Sequence, residues 1–139
     1  MKRRRYYVNT NFVVDLWKGR SEAIAFALAH RGELYTSKLL IREFSSIGAG
    51  WAARRICAEY DIQIVRLSKI WGNVKKAAFR AILESGAISP NTVLDYLHVY
   101  TAVYTGAEYF VTADAAACNR ALRAGLCCIN HRRGTELCP

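Results

Sequence analysis

The chain has 139 residues, 53% hydrophobic and 22% charged, with 20 Lys and Arg against 11 Asp and Glu and a formal charge of +9. That balance excludes a disordered chain and fits one domain, residues 1–139, long enough to bury a core. No apolar run approaches the roughly 18 residues of a membrane helix. Asn9, Asn11 and Asp15 interrupt the stretch after the basic start Lys2 to Arg5, so no membrane partner and a cytoplasmic location are expected.

Tyr6 to Val8 reads as a short apolar strand ending at Asn9-Thr10-Asn11, followed by a short helix from Phe12 to Lys18 that Gly19 breaks. Ser21 is placed to cap a second helix, which ends near Gly32. Leu34 to Thr36 reads as the second strand. From Thr36 or Ser37 one long helix is expected to about Glu59, with Gly48 and Gly50 inside it. Asp61 to Leu67 is open between strand and loop. Lys69 to Glu84 has the pattern of a basic amphipathic helix stopped by Gly86.

Ser89-Pro90 then starts another helix, with a cap and a proline in its first turn, that runs to Gly106. Tyr109 to Thr112 is apolar enough for a strand buried on both faces. Ala115 to Arg123 is a helix, Leu126 to Ile129 a last strand, and His131 to Pro139 a tail. Strands alternating with helices predict an α/β three-layer sandwich with a mainly parallel central sheet, whose ligands bind where strands end.

Asp95 is the only charged side chain between Asn91 and Ala107, in a helix otherwise apolar and aromatic. Burying a lone carboxylate is costly unless something pairs with it. Asp114 ends the apolar run YFVTA, and Glu43 shares a helical stripe with Leu40, Phe44 and Ile47. Three acids where apolar residues belong are best explained by a divalent cation, and oxygen donors select Mg²⁺ or Mn²⁺. Such a site activates water for phosphodiester chemistry without a histidine or cysteine nucleophile.

Other roles remain open for each acid. Asp114 can cap the helix it precedes, and Asp95 or Glu43 can pair with a basic side chain. His98, three residues beyond Asp95, reads as a core histidine or a partner of the acids rather than a ligand. Thr112 faces the acids from a strand end, or is simply a strand threonine. Asp15 is expected to face solvent, and Tyr96, Tyr100 and Tyr104 to form core or a dimer contact. The basic clusters Lys2 to Arg5, Arg54-Arg55, Lys75-Lys76 with Arg80, Arg120 with Arg123, and Arg132-Arg133 suit a polyanion such as RNA. The five cysteines show no zinc spacing and are expected to be free thiols; a bridge from Cys138 to Cys127 or Cys128 is the alternative.

Three segments, YYVNTNFVVDLW, LYTSKLLIREF and VLDYLHVYTAVYTGAEYFVTAD, resemble the PIN-domain family of metal-dependent ribonucleases, which includes the VapC-like toxins of type II toxin–antitoxin modules. The resemblance spans nearly the whole chain. It implies a single PIN-like domain, endoribonuclease activity with Mg²⁺ or Mn²⁺, an antitoxin partner and a homodimer. By matched position it implies Asn9, Glu43, Asp95 and Asp114 as metal ligands, with Thr112 assisting. The family carries Asp where this chain has Asn9, so the implied site is weakened by one negative charge. A non-catalytic PIN-like module that binds RNA or protein is the alternative.

Overall fold

The structure is a computed structural model and describes residues 5–86 and 89–139; Lys2, Arg3 and Arg4 of the basic start lie outside them. Its strands are β1 (Tyr6–Val8), β2 (Leu34–Ser37), β3 (Gln63–Val65), β4 (Tyr109–Val111), β5 (Cys127–Asn130) and β6 (Thr135–Leu137). They form one sheet in the order β3-β2-β1-β4-β5-β6. The first five run parallel, and β6 closes the edge antiparallel to β5. The chain steps outward from β1 to β2 and β3, then returns to the other side of β1 with β4. The strand order therefore reverses between β1 and β4, the place where open α/β sheets bind ligands.

Strand alternation builds a core on each face of the sheet. Tyr6 and Val8 point into one core, completed by α1 (Thr10–Trp17), α2 (Ser21–Ala29), α3 (Lys38–Ser45) and α4 (Gly50–Glu59). Tyr7 points into the other with Tyr35 and Phe110, under α6 (Pro90–Tyr104) and α7 (Ala115–Arg123). The remaining helix, α5 (Trp71–Ser85), packs on α6 through Ala78, Ile82 and Tyr96. This is the expected three-layer sandwich. Burying both faces of β1 explains why its sequence is continuously apolar.

Four local expectations need correction. The long helix after Ser37 is two helices, because Gly48 takes φ +75° and turns the chain between α3 and α4. Ile47, expected on the core stripe, lies in that turn and is 72% exposed. Residues 131–139 are more than a tail, since β6 pairs with β5 as a hairpin. The third correction is Ser21, which begins α2 without capping it, the N-cap being Arg20 with no side-chain bond. Fourth, most of the cysteines are not free thiols. Cys118 bridges to Cys128 and Cys127 to Cys138, the second being one of the alternatives open from the sequence. Cys57 stays free and buried, its thiol pushed up to about 12 by desolvation.

Candidate functional site

Four of the five singled-out residues meet at the point where the strand order reverses. Asn9 follows β1 and is buried, its backbone N–H held by the carbonyl of Val111 at 3.0 Å. Asp114 follows β4 and is the N-cap of α7, accepting from the Ala116 N–H at 2.9 Å. Glu43 and Asp95 sit in the second turns of α3 and α6. All four line one cleft of about 310 Å³, within the ~300–1,000 Å³ range of ligand sites.

Thr112 does not appear on the cleft wall. It is fully buried beneath, where its Oγ1 accepts from Asn11 Nδ2 at 2.8 Å and from the Asp114 N–H at 3.1 Å. Asn11 Oδ1 in turn accepts from the Ala113 N–H at 3.2 Å. Asn11 thus ties the start of α1 to the end of β4, which holds Asn9 and Asp114 in register. Sequence reasoning missed it, although a polar residue three positions beyond a buried strand end is a detectable signal.

A buried relay positions Glu43. Tyr7 hydroxyl lies 2.8 Å from Ser37 Oγ and 2.7 Å from His98 Nδ1. Burial raises the Tyr7 pKa far above the ordinary phenol range, so the hydroxyl keeps its proton and can donate it to Nδ1. That leaves Nε2–H to donate to Glu43 Oε1, an assignment that follows from the bonding pattern. Thr10 Oγ1 donates to the same carboxylate oxygen at 2.9 Å. His98 is therefore a core histidine with both nitrogens engaged, and it partners Glu43.

Asp95 meets Arg120 Nη1 at 2.7 Å, one of the pairings left open from its sequence. Its pKa is nevertheless raised. Desolvation is the largest cause and the nearby Asp114 charge the next; Arg120 and His98 oppose both without prevailing. Burial and the neighbouring Asp114 charge therefore both disfavour the ionised form of Asp95. Among the described residues, no three His, Cys, Asp or Glu side chains stand close enough together to cage an ion. The acids line the cleft without converging on a point.

Asp15 overturns its expected exposure. It is 1% exposed and accepts from Arg132 Nε and Nη2, both at 2.8 Å, and pairs with His131 Nε2 at 2.7 Å. Burial alone would raise its pKa, but the Arg132 and His131 hydrogen bonds outweigh it and the net shift is downward. Desolvation lowers the His131 pKa in turn. This clasp anchors the β5–β6 turn to α1 and sets Arg132 on the rim of the acid cleft, beside Lys18. The partners lie 116 and 117 residues from Asp15 in sequence, so local patterning could not reveal them.

The sheet order and the cleft at its reversal define a PIN-like fold of the VapC type. A chain of the VapBC2 complex from Rickettsia felis, bound to a DNA fragment from its promoter, superposes with a TM-score of 0.63 at 16% identity, covering 84% of this chain and 92% of that one. A chain of a toxin–antitoxin complex from Klebsiella pneumoniae superposes with a TM-score of 0.59 at 17% identity, covering 81% and 89%. No family model and no curated protein matches this sequence. Among the described residues, no helix is long and apolar enough to cross a membrane.

Proposed function

We propose that this chain is a PIN-type endoribonuclease dependent on Mg²⁺ or Mn²⁺, the toxin of a type II toxin–antitoxin module acting in the cytoplasm. The observation that carries the reading is the meeting of Glu43, Asp95, Asp114 and Asn9 in one cleft at the reversal of a PIN-like sheet.

The cleft's chemistry fits a hard cation. Its donors are carboxylate and amide oxygens, and the charge of Asp114 is felt at Asp95. Acids that face one cleft without caging a point suit Mg²⁺, which keeps several waters and takes only one or two carboxylates directly. Asp95 and Asp114 would hold the ion, with Glu43 and Asn9 completing its surroundings. The metal supplies a water of lowered pKa and charge stabilisation at the phosphodiester. The chain's own residues do the rest. His98 and Thr10 fix the Glu43 carboxylate, and Thr112 and Asn11 fix the backbone that carries Asp114. Arg120 holds Asp95 Oδ2 and would share that carboxylate with a bound cation.

Asn9 weakens the site in two ways. It adds no charge, and its Oδ1 already accepts from the Thr10 N–H at 2.9 Å. This favours the second reading, a non-catalytic PIN-like module that binds RNA or protein. The partners of the first reading are RNA, an antitoxin and a second copy of the chain. Exposed Trp17 and Trp51 on α1 and α4, and Phe79, Leu83 and Tyr104 on α5 and α6, offer apolar surface for the two proteins.

The test is cleavage of a structured RNA pool with Mn²⁺ by the chain, its Asn9→Asp variant and its Asp95→Asn variant. Cleavage that Asn9→Asp enhances and Asp95→Asn abolishes is expected. If none of the folded proteins cuts, the binding-module reading replaces the nuclease. If Asp95→Asn cuts as well as the parent, the site assignment fails.

A further inference from the structure

A second cavity opens along the same carboxyl edge of the sheet, above β2 and β3. It measures about 450 Å³ and is lined by Lys38, Arg42, Arg66, Leu67, Ser68 and Trp71. Lys38 and Arg42 are four residues apart and share one face of α3; Glu43 lies about 100° further round the helix. The acid cleft and this cavity are therefore on adjacent faces of α3. Arg66 and Ser68 come from the loop after β3, and Trp71 opens α5.

Three features of this cavity agree. First, its cations have no acid: among the described residues, none of Lys38, Arg42, Arg66 and the neighbouring Lys75 is in an ion pair. Arg5, Arg20, Arg120 and Arg132, by contrast, each meet a carboxylate. Second, the Trp71 indole is half-buried between these charges, with Arg42 Cζ and Lys75 Nζ each 5.9 Å from the ring centroid. Third, the N-terminus of α5 carries no side-chain cap, because the N-cap is Ile70, and no acid stands in its first turn. Its free N–H groups add positive potential at Trp71.

Uncompensated cations around one aromatic ring match the two parts of a nucleotide in a single strand. The phosphate wants guanidinium and ammonium groups, and the base wants a flat π-face, with stacking sequence-tolerant. We infer that the Trp71 cavity is a single-stranded nucleic-acid subsite, in which one base stacks on the indole and the flanking phosphates take Lys38, Arg42 and Arg66. An RNA strand held there continues around α3 towards the acid cleft. The choice of RNA rests on the nuclease reading, whereas the stacking and charge chemistry of the cavity does not.

The test is fluorescence anisotropy with a labelled mixed-sequence RNA 12-mer and its DNA counterpart. Working in EDTA suppresses cleavage, and circular dichroism confirms folding of each variant. Trp71→Ala should weaken RNA binding about fivefold to a hundredfold, while Trp71→Phe keeps most of it. The exposed pair Arg42→Gln with Arg66→Gln, which leaves the ring in place, should lower the salt slope by about 0.7 for each phosphate no longer neutralised. Equal loss with the DNA strand supports a subsite blind to the 2′-hydroxyl, and loss with RNA alone supports one that reads it. Unchanged RNA affinity and salt slope in the folded variants overturn the inference. So does lost affinity for a poly-glutamate peptide without lost affinity for RNA, which makes the cavity a protein-docking site. A chain that binds RNA through Trp71 but never cuts it leaves the subsite standing and sinks the nuclease reading instead.

Discussion

The two cavities on α3 are electrostatic opposites built a residue apart. The cleft at the β1–β4 reversal gathers carboxylates, with the pKa of Asp95 raised by burial and by Asp114. The Trp71 cavity gathers cations and leaves them without acids. Glu43 lines the first and Arg42 the second, so consecutive side chains of a single helix face cavities of opposite charge. A phosphodiester needs both, because positive charge concentrates the polyanion while the acid cleft repels it until a cation is bound.

The sharpest way to break that division is Asp95→Asn. It should cut Mn²⁺-dependent cleavage about a hundredfold to a thousandfold, the scale of removing one electrostatic interaction with the transition state. RNA affinity in EDTA should not fall. If binding falls with cleavage, the cleft and the cavity are not separate functions.

Asn9→Asp sharpens the comparison from the other direction. Restoring a charged oxygen beside Asp114 should raise cleavage on the order of tenfold at sub-saturating Mn²⁺, the scale that outer partners of metal ligands carry. Steady-state rates across a Mn²⁺ titration read this out.

pH separates the two regions as well. A carboxylate whose folded pKa is raised takes up its proton above the usual Asp range, so Asp95 loses its charge early as the pH is lowered. Cation binding and cleavage should therefore start to decline above the ordinary Asp range as the pH is lowered, while RNA binding at the Lys and Arg of the Trp71 cavity stays level. The same shift makes ionised Asp95 a destabilising group, since the folded state holds its proton more tightly. Asp15 has the opposite sign. Its depressed pKa contributes stability above the ordinary Asp range that is lost as the pH falls through the folded value. His131, also depressed, begins to withdraw stability earlier, as the pH drops through the ordinary histidine range of about 6.5. The Asp15→Asn variant should show a shallower acid limb in urea denaturation. It should also lose about 1–3 kcal/mol near neutral pH, the cost of leaving buried His131 poorly bonded.

The smallest functional effect is expected at the disulfides, which lie in neither cavity. Cys127→Ser with Cys138→Ser removes a loop of 11 residues in sequence separation. It should cost about 2–3 kcal/mol of stability by chain entropy and leave RNA binding at Trp71 unchanged. Binding titrations and urea denaturation of the same samples check both halves.

Much of the sheet was legible from the sequence because β1, β2, β4 and β5 are short apolar runs set between turn residues, and three acids stood out against apolar helices. What escaped notice has physical reasons. β6 is exposed along its length, so it carries no apolar signature and exists because β5 offers an edge and the Cys127–Cys138 bridge holds it there. The break at Gly48 was hidden because apolar residues continue at helical spacing through it. Asp15 looked like a surface acid because its partners come from the far end of the chain. The Trp71 cavity takes its charges from α3, the loop after β3 and the start of α5. No local window contains them, and Lys38, Arg42 and Arg66 belong to none of the basic clusters read from the sequence, whereas the neighbouring Lys75 does.

The central pairing of β1 with β4 has a consequence for the moment of synthesis. Tyr6 pairs with Tyr109, and Asn9 is held by Val111, so the first strand waits about 100 residues for its neighbour. At ribosomal speeds of about 5–20 residues per second, that delay is roughly 5–20 s. During that interval β1 lacks one of its two neighbours and the last acid has not been made. The acid cleft at the β1–β4 reversal therefore cannot assemble on the nascent chain until β4 and Asp114 have been made.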